Sequence, residues 1–299
     1  MQPTVIAPIF ARHETFYPRF GWLKKGFDAV CHDPAIFLTE DAHIQLGVGK
    51  NMAKSIRYWC SAFKVTEDDR TNTPSEFGTT LFGDREGLNP FLEDPASLWL
   101  LHWHLLKQPC RATAWYFTFN LFRQLEFTYD DLFSALSDYR HRLVGCNVAA
   151  SSIKKDIHCI LRMYARQGIE TSLNEDNLDC PFAELGLIHK AGDSKHFTFR
   201  VGYKPSLPAE IVVVACLDFA DWVGQGIRTI SISRLLFEVG SPGMIYKLSE
   251  SSLCDGIEQV AKNWDAIALS DSAGLIQMSF TEDPALLIAK ILHNYYRCN

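Results

Sequence analysis

The densest concentration of potential chemistry lies near the start of the chain, in Phe10-Ala11-Arg12-His13-Glu14-Thr15-Phe16-Tyr17-Pro18-Arg19-Phe20-Gly21-Trp22-Leu23-Lys24-Lys25-Gly26. An imidazole adjoins a carboxylate, cations flank both, and aromatics alternate with the ionisable groups. Breaking a phosphodiester needs an activated nucleophile and positive charge where negative charge develops. His13 has the chemistry of a general base, Glu14 that of a metal ligand, and Arg19 that of a charge stabiliser. Arg12, Lys24 and Lys25 are suited to hold phosphates. A structural alternative stands beside each role. His13 can cap a helix, Glu14 can pair with Arg12 or Arg19, the lysines can form a solvated face, and Trp22, which could stack on an exposed base, reads rather as core. In an extended segment adjacent side chains point to opposite sides. His13 and Glu14 would then not face one substrate.

Such groups need elements to position them, and a coarse pattern recurs three times: helices, a turn, an amphipathic helix, then a small hairpin. In the first copy the turn Gly47-Val48-Gly49 precedes a helix over about 50–64. Met52, Ile56, Trp59 and Phe63 share one face at 3.6 residues per turn, and Lys50, Lys54, Arg57 and Lys64 share the other. A basic outer face behind an apolar inner one is what a DNA-reading helix needs, although many surface helices look the same and bind nothing. Phe77 to Phe82 reads as a strand, with Gly83-Asp84 as its turn. In the second copy Ser151 and Ser152 read as caps of a helix reaching Arg166. Ile153, Ile157, Ile160 and Tyr164 line its inner side, and Lys154, Lys155, His158 and Arg162 its outer side. The runs 187–190 and 196–201 flank Ala191-Gly192-Asp193-Ser194, a hairpin signal. In the third copy a helix spans Thr229 to Val239 and another Ser249 to Lys262. The second of these carries Glu250, Asp255 and Glu258 outside, a face that repels DNA and suits a protein partner. The runs 264–269 and 275–280 form its hairpin around 270–274.

The expected fold is therefore mainly α-helical with small β-hairpins, built as tandem winged-helix (helix-turn-helix) units over 1–108, 109–204 and 205–299. At 299 residues, 47% hydrophobic and 21% charged, the composition is that of a globular protein with room for several cores. A net charge of −6 excludes a wholly basic coat, so any DNA-binding charge must be local. Nine widely spaced cysteines without Cys-x-x-Cys exclude a zinc ribbon and point to reduced thiols. No signal pattern or membrane-length apolar run is present, so a cytoplasmic protein without membrane contact is expected.

Other apparent motifs fail on spacing. His102-Trp103-His104 sits in a strongly apolar helix, and two imidazoles two residues apart do not share a helical face, so core histidines are expected. Gly47-Val48-Gly49-Lys50-Asn51 lacks the first glycine and the Ser/Thr of a P-loop.

His13-Glu14-Thr15-Phe16, then Arg19, then Trp22-Leu23-Lys24-Lys25-Gly26, resembles the N-terminal signature of an uncharacterised-domain family from bacterial DNA phosphorothioation loci. The likeness continues through Leu46-Gly47-Val48-Gly49-Lys50-Asn51-Met52 to Tyr58-Trp59, at 92–95 and 98–103, and at Gly240-Ser241-Pro242-Gly243. Those loci pair the family with a cysteine desulfurase, an ATPase and a PAPS-reductase-like enzyme, and one member is described as a DNA nickase. The resemblance thus implies a DNA-binding subunit of a modification and phage-defence system. It would nick DNA to admit sulfur as an endonuclease using a divalent metal, Mg2+ or Mn2+. The residues alone support DNA binding, and the alternative is a non-catalytic winged-helix adaptor or regulator.

Overall fold

The computed structural model describes residues 7–67, 72–84, 86–143, 145–165, 180–191, 195–272 and 274–298. Thr71, Val144, Arg166, the hairpin residues Gly192, Asp193 and Ser194, and Ala273 lie outside them. Among the described residues the chain is mainly helical, with two small antiparallel sheets of three strands each. It divides into two compact units, Met1–Phe199 and Arg200–Asn299.

The first unit opens with helices α1 (Trp22–His32), α2 (Ala42–Gln45), α3 (Lys50–Ala62), α4 (Glu76–Phe82) and α5 (Pro95–Leu106). Helix α3 begins where it was expected, because Gly47 takes φ 64°, a left-handed turn that favours glycine, and Gly49 forms the N-cap. Ile56, Trp59 and Phe63 are fully buried, while Lys50 and Lys54 are exposed. Helix α5 is apolar nearly all round and is accordingly buried along almost its whole length. Asp94 caps it by accepting from the Ala96 N–H at 2.8 Å. His102 lies in that core, its Nδ1 2.8 Å from the Tyr164 hydroxyl. His104 stacks on Phe77, and burial pushes its imidazole well below the usual range.

The unit continues through α6 (Thr113–Tyr116), β1 (Glu126–Thr128), α7 (Tyr129–Arg142), α8 (Ala150–Tyr164), β2 (Ile188–Lys190) and β3 (His196–Phe199). Helix α7 starts with a reciprocal capping box between Thr128 and Asp131 and ends in Arg140, His141 and Arg142, matching its dipole. The strand order is β1-β3-β2, with Phe127 opposite Phe197 and His189 opposite Thr198.

The second unit follows a similar order, with one more helix before its hairpin and another after it: α9 (Ala209–Val223), β4 (Thr229–Ser231), α10 (Ile232–Phe237), α11 (Pro242–Tyr246), α12 (Glu250–Ala261), β5 (Ile267–Ser272), β6 (Leu275–Phe280) and α13 (Pro284–Cys298). Its sheet runs β4-β6-β5, so again the strand before the helices pairs with the second strand of the hairpin. The expected hairpins of the second and third copies are therefore present in outline.

Three expectations need correction. Phe77 to Phe82 is helical, not a strand. The Ser75 hydroxyl accepts from the Gly78 N–H at 2.8 Å and starts α4, whose Leu81 and Phe82 are buried. That N-cap outweighs the strand preference of Thr79 and Thr80. Helix α8 starts one residue before Ser151, with Ala149 at the N-cap and no side-chain cap. Thr229 to Val239 is not one helix: Thr229–Ser231 pairs with β6, and the Ser231 hydroxyl starts α10.

Gly26 lets α1 approach α3. A Cβ there would fall 2.3 Å from the Cys60 Sγ and 2.9 Å from the Ile56 Cγ2. Gly26→Ala is expected to destabilise the protein by about 1–3 kcal/mol through overpacking. Gly49→Ala, which meets nothing closer than the Met52 sulfur at 3.8 Å, is the mild control. Equal thermal unfolding midpoints for the two variants would show that the crossing tolerates a methyl.

Candidate functional site

The segment from Ala11 to Thr15 is neither strand nor helix. Ala11, Glu14 and Thr15 adopt φ 53°, 49° and 69°, a left-handed conformation that costs non-glycine residues energy. A buried carboxylate from α8 holds the segment in place. Asp156 Oδ1 accepts from the Ala11 N–H at 2.9 Å and lies 2.8 Å from His13 Nε2. His13 and Asp156 are almost wholly shielded from water. Burial raises the Asp156 carboxyl above its usual range, and the His13 hydrogen bond opposes that shift. The His13 ring lies nearly parallel to Trp59 and edge-on to Trp115, with centroids 6.0 and 5.6 Å away. Trp59 donates its indole N–H to the Phe16 carbonyl at 3.1 Å, anchoring the end of the turn.

This anchoring separates His13 from Glu14. His13 faces the core behind the segment, whereas Arg12 and Glu14 line a cavity of about 790 Å3 in front of it. Lys50, Lys54 and Arg57 project into the same cavity from α3, and Arg111 joins them from the turn before α6. Thus five of the expected phosphate- and metal-binding side chains, Arg12, Glu14, Lys50, Lys54 and Arg57, meet in one place. Arg111, Glu40 and His43 also line the cavity, and no motif or spacing marks them. Asp156 is legible in the sequence: it lies between Ile153 and Ile160 on the inner face of α8, and a carboxylate there needs a partner.

Positive charge dominates the cavity. Five cations line it against Glu14 and Glu40. Arg57 is oriented by a 2.6 Å hydrogen bond from Nε to the Asn72 amide oxygen. Burial, with Arg12 and Arg57 nearby, pushes the Arg111 guanidinium below its usual range, although Tyr58 opposes the shift. Among the described residues Arg12, Glu14, Lys50 and Lys54 form no side-chain hydrogen bond or ion pair. A site with surplus positive charge attracts an anion.

The other expected residues lie elsewhere. Arg19 sits over Trp22, 5.6 Å from the ring centroid. Lys24 is tied to Asp28 and Asp84. Lys25 donates to the Leu46 carbonyl at 3.0 Å. Lys64, expected on the basic face of α3, instead donates to the carbonyls of His104 and Lys107. Lys154, Lys155, His158 and Arg162 are exposed along α8, as their spacing predicts. His158 and Arg162 border a cleft of about 290 Å3 with Lys190 and Phe197 of the β2–β3 hairpin.

A magnesium ion needs one or two carboxylates and often shares its remaining positions with water and substrate phosphate. Glu14 and Glu40 are the two carboxylates among the cavity's described lining residues. Among the described residues no three His, Cys, Asp or Glu side chains are grouped to hold a metal by themselves.

Residues 10–296 match the family described as protein of unknown function (DUF4007). The crystal structure of SspB superposes with a TM-score of 0.88 and is 38% identical, covering 97% of this chain and 88% of that one. A magnesium ion-bound SspB crystal structure is 37% identical, with the same TM-score and coverage. None of the curated proteins matches the chain.

Removing one partner of a buried charged hydrogen bond typically costs about 3–5 kcal/mol. Asp156→Ala is therefore expected to lower the unfolding midpoint strongly. Asp156→Asn keeps the shape and one acceptor, so it should stay folded while amide hydrogen exchange speeds up over residues 9–16. Unaltered exchange in Asp156→Asn would mean that the segment holds its conformation without the carboxylate.

Proposed function

We propose a function for this chain from the premise that it belongs to the DUF4007 family: it is a DNA-binding subunit of a phosphorothioation system that nicks one DNA strand. The observation that carries this reading is the cavity, which Arg12, Lys50, Lys54, Arg57 and Arg111 line together with Glu14. Its similarity to SspB, together with the resemblance of its motifs to proteins of phosphorothioation loci, supplies the context. The cysteine desulfurase, ATPase and PAPS-reductase-like proteins of such loci would then be its cytoplasmic partners.

In this proposal the arginines bind the non-bridging oxygens of one phosphodiester, because a guanidinium matches phosphate with two parallel donors. Lys50 and Lys54 hold neighbouring phosphates. Water attacks phosphorus, one P–O bond forms, the bond to the leaving sugar oxygen breaks, and the proton lost by the water is balanced by the one the leaving oxygen takes up. Glu14, with Glu40, would hold the Mg2+ or Mn2+ ion, which supplies charge neutralisation at the phosphate when bound. His13, shielded behind the segment, acts by fixing Arg12 and Glu14 rather than by touching DNA.

The two repeats of strand, helices and hairpin are read as winged-helix units. The basic outer face of α8 and the β2–β3 hairpin contact the duplex in the first, the region assigned above to 109–204. The α12 face of the second, with exposed Glu250, Asp255 and Glu258, meets a protein partner. A second reading, the non-catalytic adaptor, gains from one observation: the imidazole expected as general base is buried and bonded to Asp156.

Supercoiled plasmid incubated with the protein and Mg2+ or Mn2+ distinguishes the two. Conversion to open circle supports the nickase, and a mobility shift without nicking supports the adaptor. Glu14→Gln is expected to lower nicking by on the order of 10²-fold or more while leaving DNA affinity near wild type. The Lys50→Ala, Lys54→Ala, Arg57→Ala triple variant should weaken binding and flatten the salt dependence by about 0.9 per lost phosphate contact. An unchanged slope in the folded triple variant would remove α3 from the interface. Charge reversal at Glu250, Asp255 and Glu258 should spare DNA binding and reduce co-purification with partner subunits.

A further inference from the structure

Lys24 and Lys25 do not enter the cavity. They line a second cleft of about 360 Å3, whose walls include Phe20 and Phe91. These two phenylalanines are 58% and 67% exposed, among the most exposed large apolar side chains described. They come from distant segments, the turn before α1 and the turn before α5. The second turn is firmly built. Leu92, the residue after Phe91, is buried in the left-handed conformation at φ 54°. The Leu92 N–H donates to the Asn89 carbonyl, and the Glu93 N–H donates to the Asn89 side chain at 2.9 Å. A left-handed, hydrogen-bonded turn thus holds the Phe91 ring in water, beside Phe20 in one cleft.

The charges of this cleft differ from those of the cavity. The Lys24 ammonium is neutralised by Asp28 and Asp84, and Lys25 is engaged by the Leu46 carbonyl. The cleft therefore suits an uncharged, flat, polarisable group better than a phosphate. It is also joined to the cavity by a single short helix. Ala42 and His43 of α2 line the cavity, and Leu46, just past the end of α2, takes the Lys25 ammonium.

We propose that the cleft between Phe20 and Phe91 is a stacking site for an unpaired nucleobase of the DNA strand bound in the cavity. The inference rests on the DNA-binding reading above. Phenyl rings offer π faces and no hydrogen-bonding groups, so the site would accept any base and prefer unpaired over paired DNA. Binding an extruded base would hold the strand locally single and present its phosphate to Arg12, Arg57 and Arg111.

The test uses the full chain with three probes: a short single-stranded oligonucleotide carrying one 2-aminopurine, the same strand with an abasic site at that position, and the duplex. Wild type is expected to quench 2-aminopurine on binding. Phe20→Ala and Phe91→Ala should each weaken single-strand binding by roughly 5- to 150-fold, the range for losing one base–aromatic stack. Both should lose the quenching, leave duplex affinity nearly unchanged and have no effect on the abasic strand. Because both rings are exposed, unfolding midpoints should not move. Equal loss on the base-containing and abasic strands, or no loss on either, overturns the stacking site while leaving DNA binding intact. Failure of wild type to bind the duplex overturns the DNA-binding reading itself, and the stacking site with it. If the variants keep single-strand affinity but lose association with a partner subunit, the cleft is a protein-docking surface and the proposal is wrong.

Discussion

One carboxylate oxygen organises the front of the first unit. Asp156 Oδ1 meets both the Ala11 N–H and His13 Nε2 in an environment closed to water. Three non-glycine residues in five hold left-handed backbone angles around that contact. Strain of this kind persists only where the surroundings over-determine the conformation. Here they do so through the carboxylate, the Trp59 and Trp115 rings and the Phe16 carbonyl. The consequence is geometrical: His13 faces inward, and Arg12 and Glu14 reach the cavity. The same carboxylate belongs to α8, whose opposite face carries Lys154, Lys155, His158 and Arg162. The helix that presents the second basic surface is therefore the helix that fixes the cavity wall.

The distribution of charge is the second constraint. A chain with net charge −6 presents two local concentrations of positive charge, in the cavity and along α8. Elsewhere in the N-terminal segment the cations are spent locally: Lys24 on Asp28 and Asp84, Lys25 on a carbonyl, and Arg19 on Trp22. Lys24 and Lys25 are adjacent to the signature in sequence but serve a different surface from Arg12 and Glu14. The aromatic residues divide in the same way. Trp22 and Trp59 are core, whereas Phe20 and Phe91 face water.

What the sequence determined by itself was local. The 3.6-residue periodicity of α3 and α8 set which residues face inward, and Gly47 and Gly49 set where α3 starts. The alternation around the β2–β3 and β5–β6 hairpins set their strands to within a few residues. The motifs set the family. Local preference misled in two opposite ways: the Ser75 hydroxyl cap started a helix at α4 where β-branched residues suggested a strand, and Thr229–Ser231 joined a sheet where a helix was expected.

Tertiary structure alone decided the rest, because the deciding contacts span long sequence separations. Asp156 lies 143 residues from His13, and no spacing rule connects them. Arg111 enters the cavity from a turn with no motif of its own. The adjacency of His13 and Glu14 suggested a joint role, yet a left-handed turn and a buried acceptor turned them apart. Chemistry-bearing residue types were legible because charge and aromaticity are properties of single residues. Which of them share a site was not, because a site is a property of packing, and packing answers to the whole core.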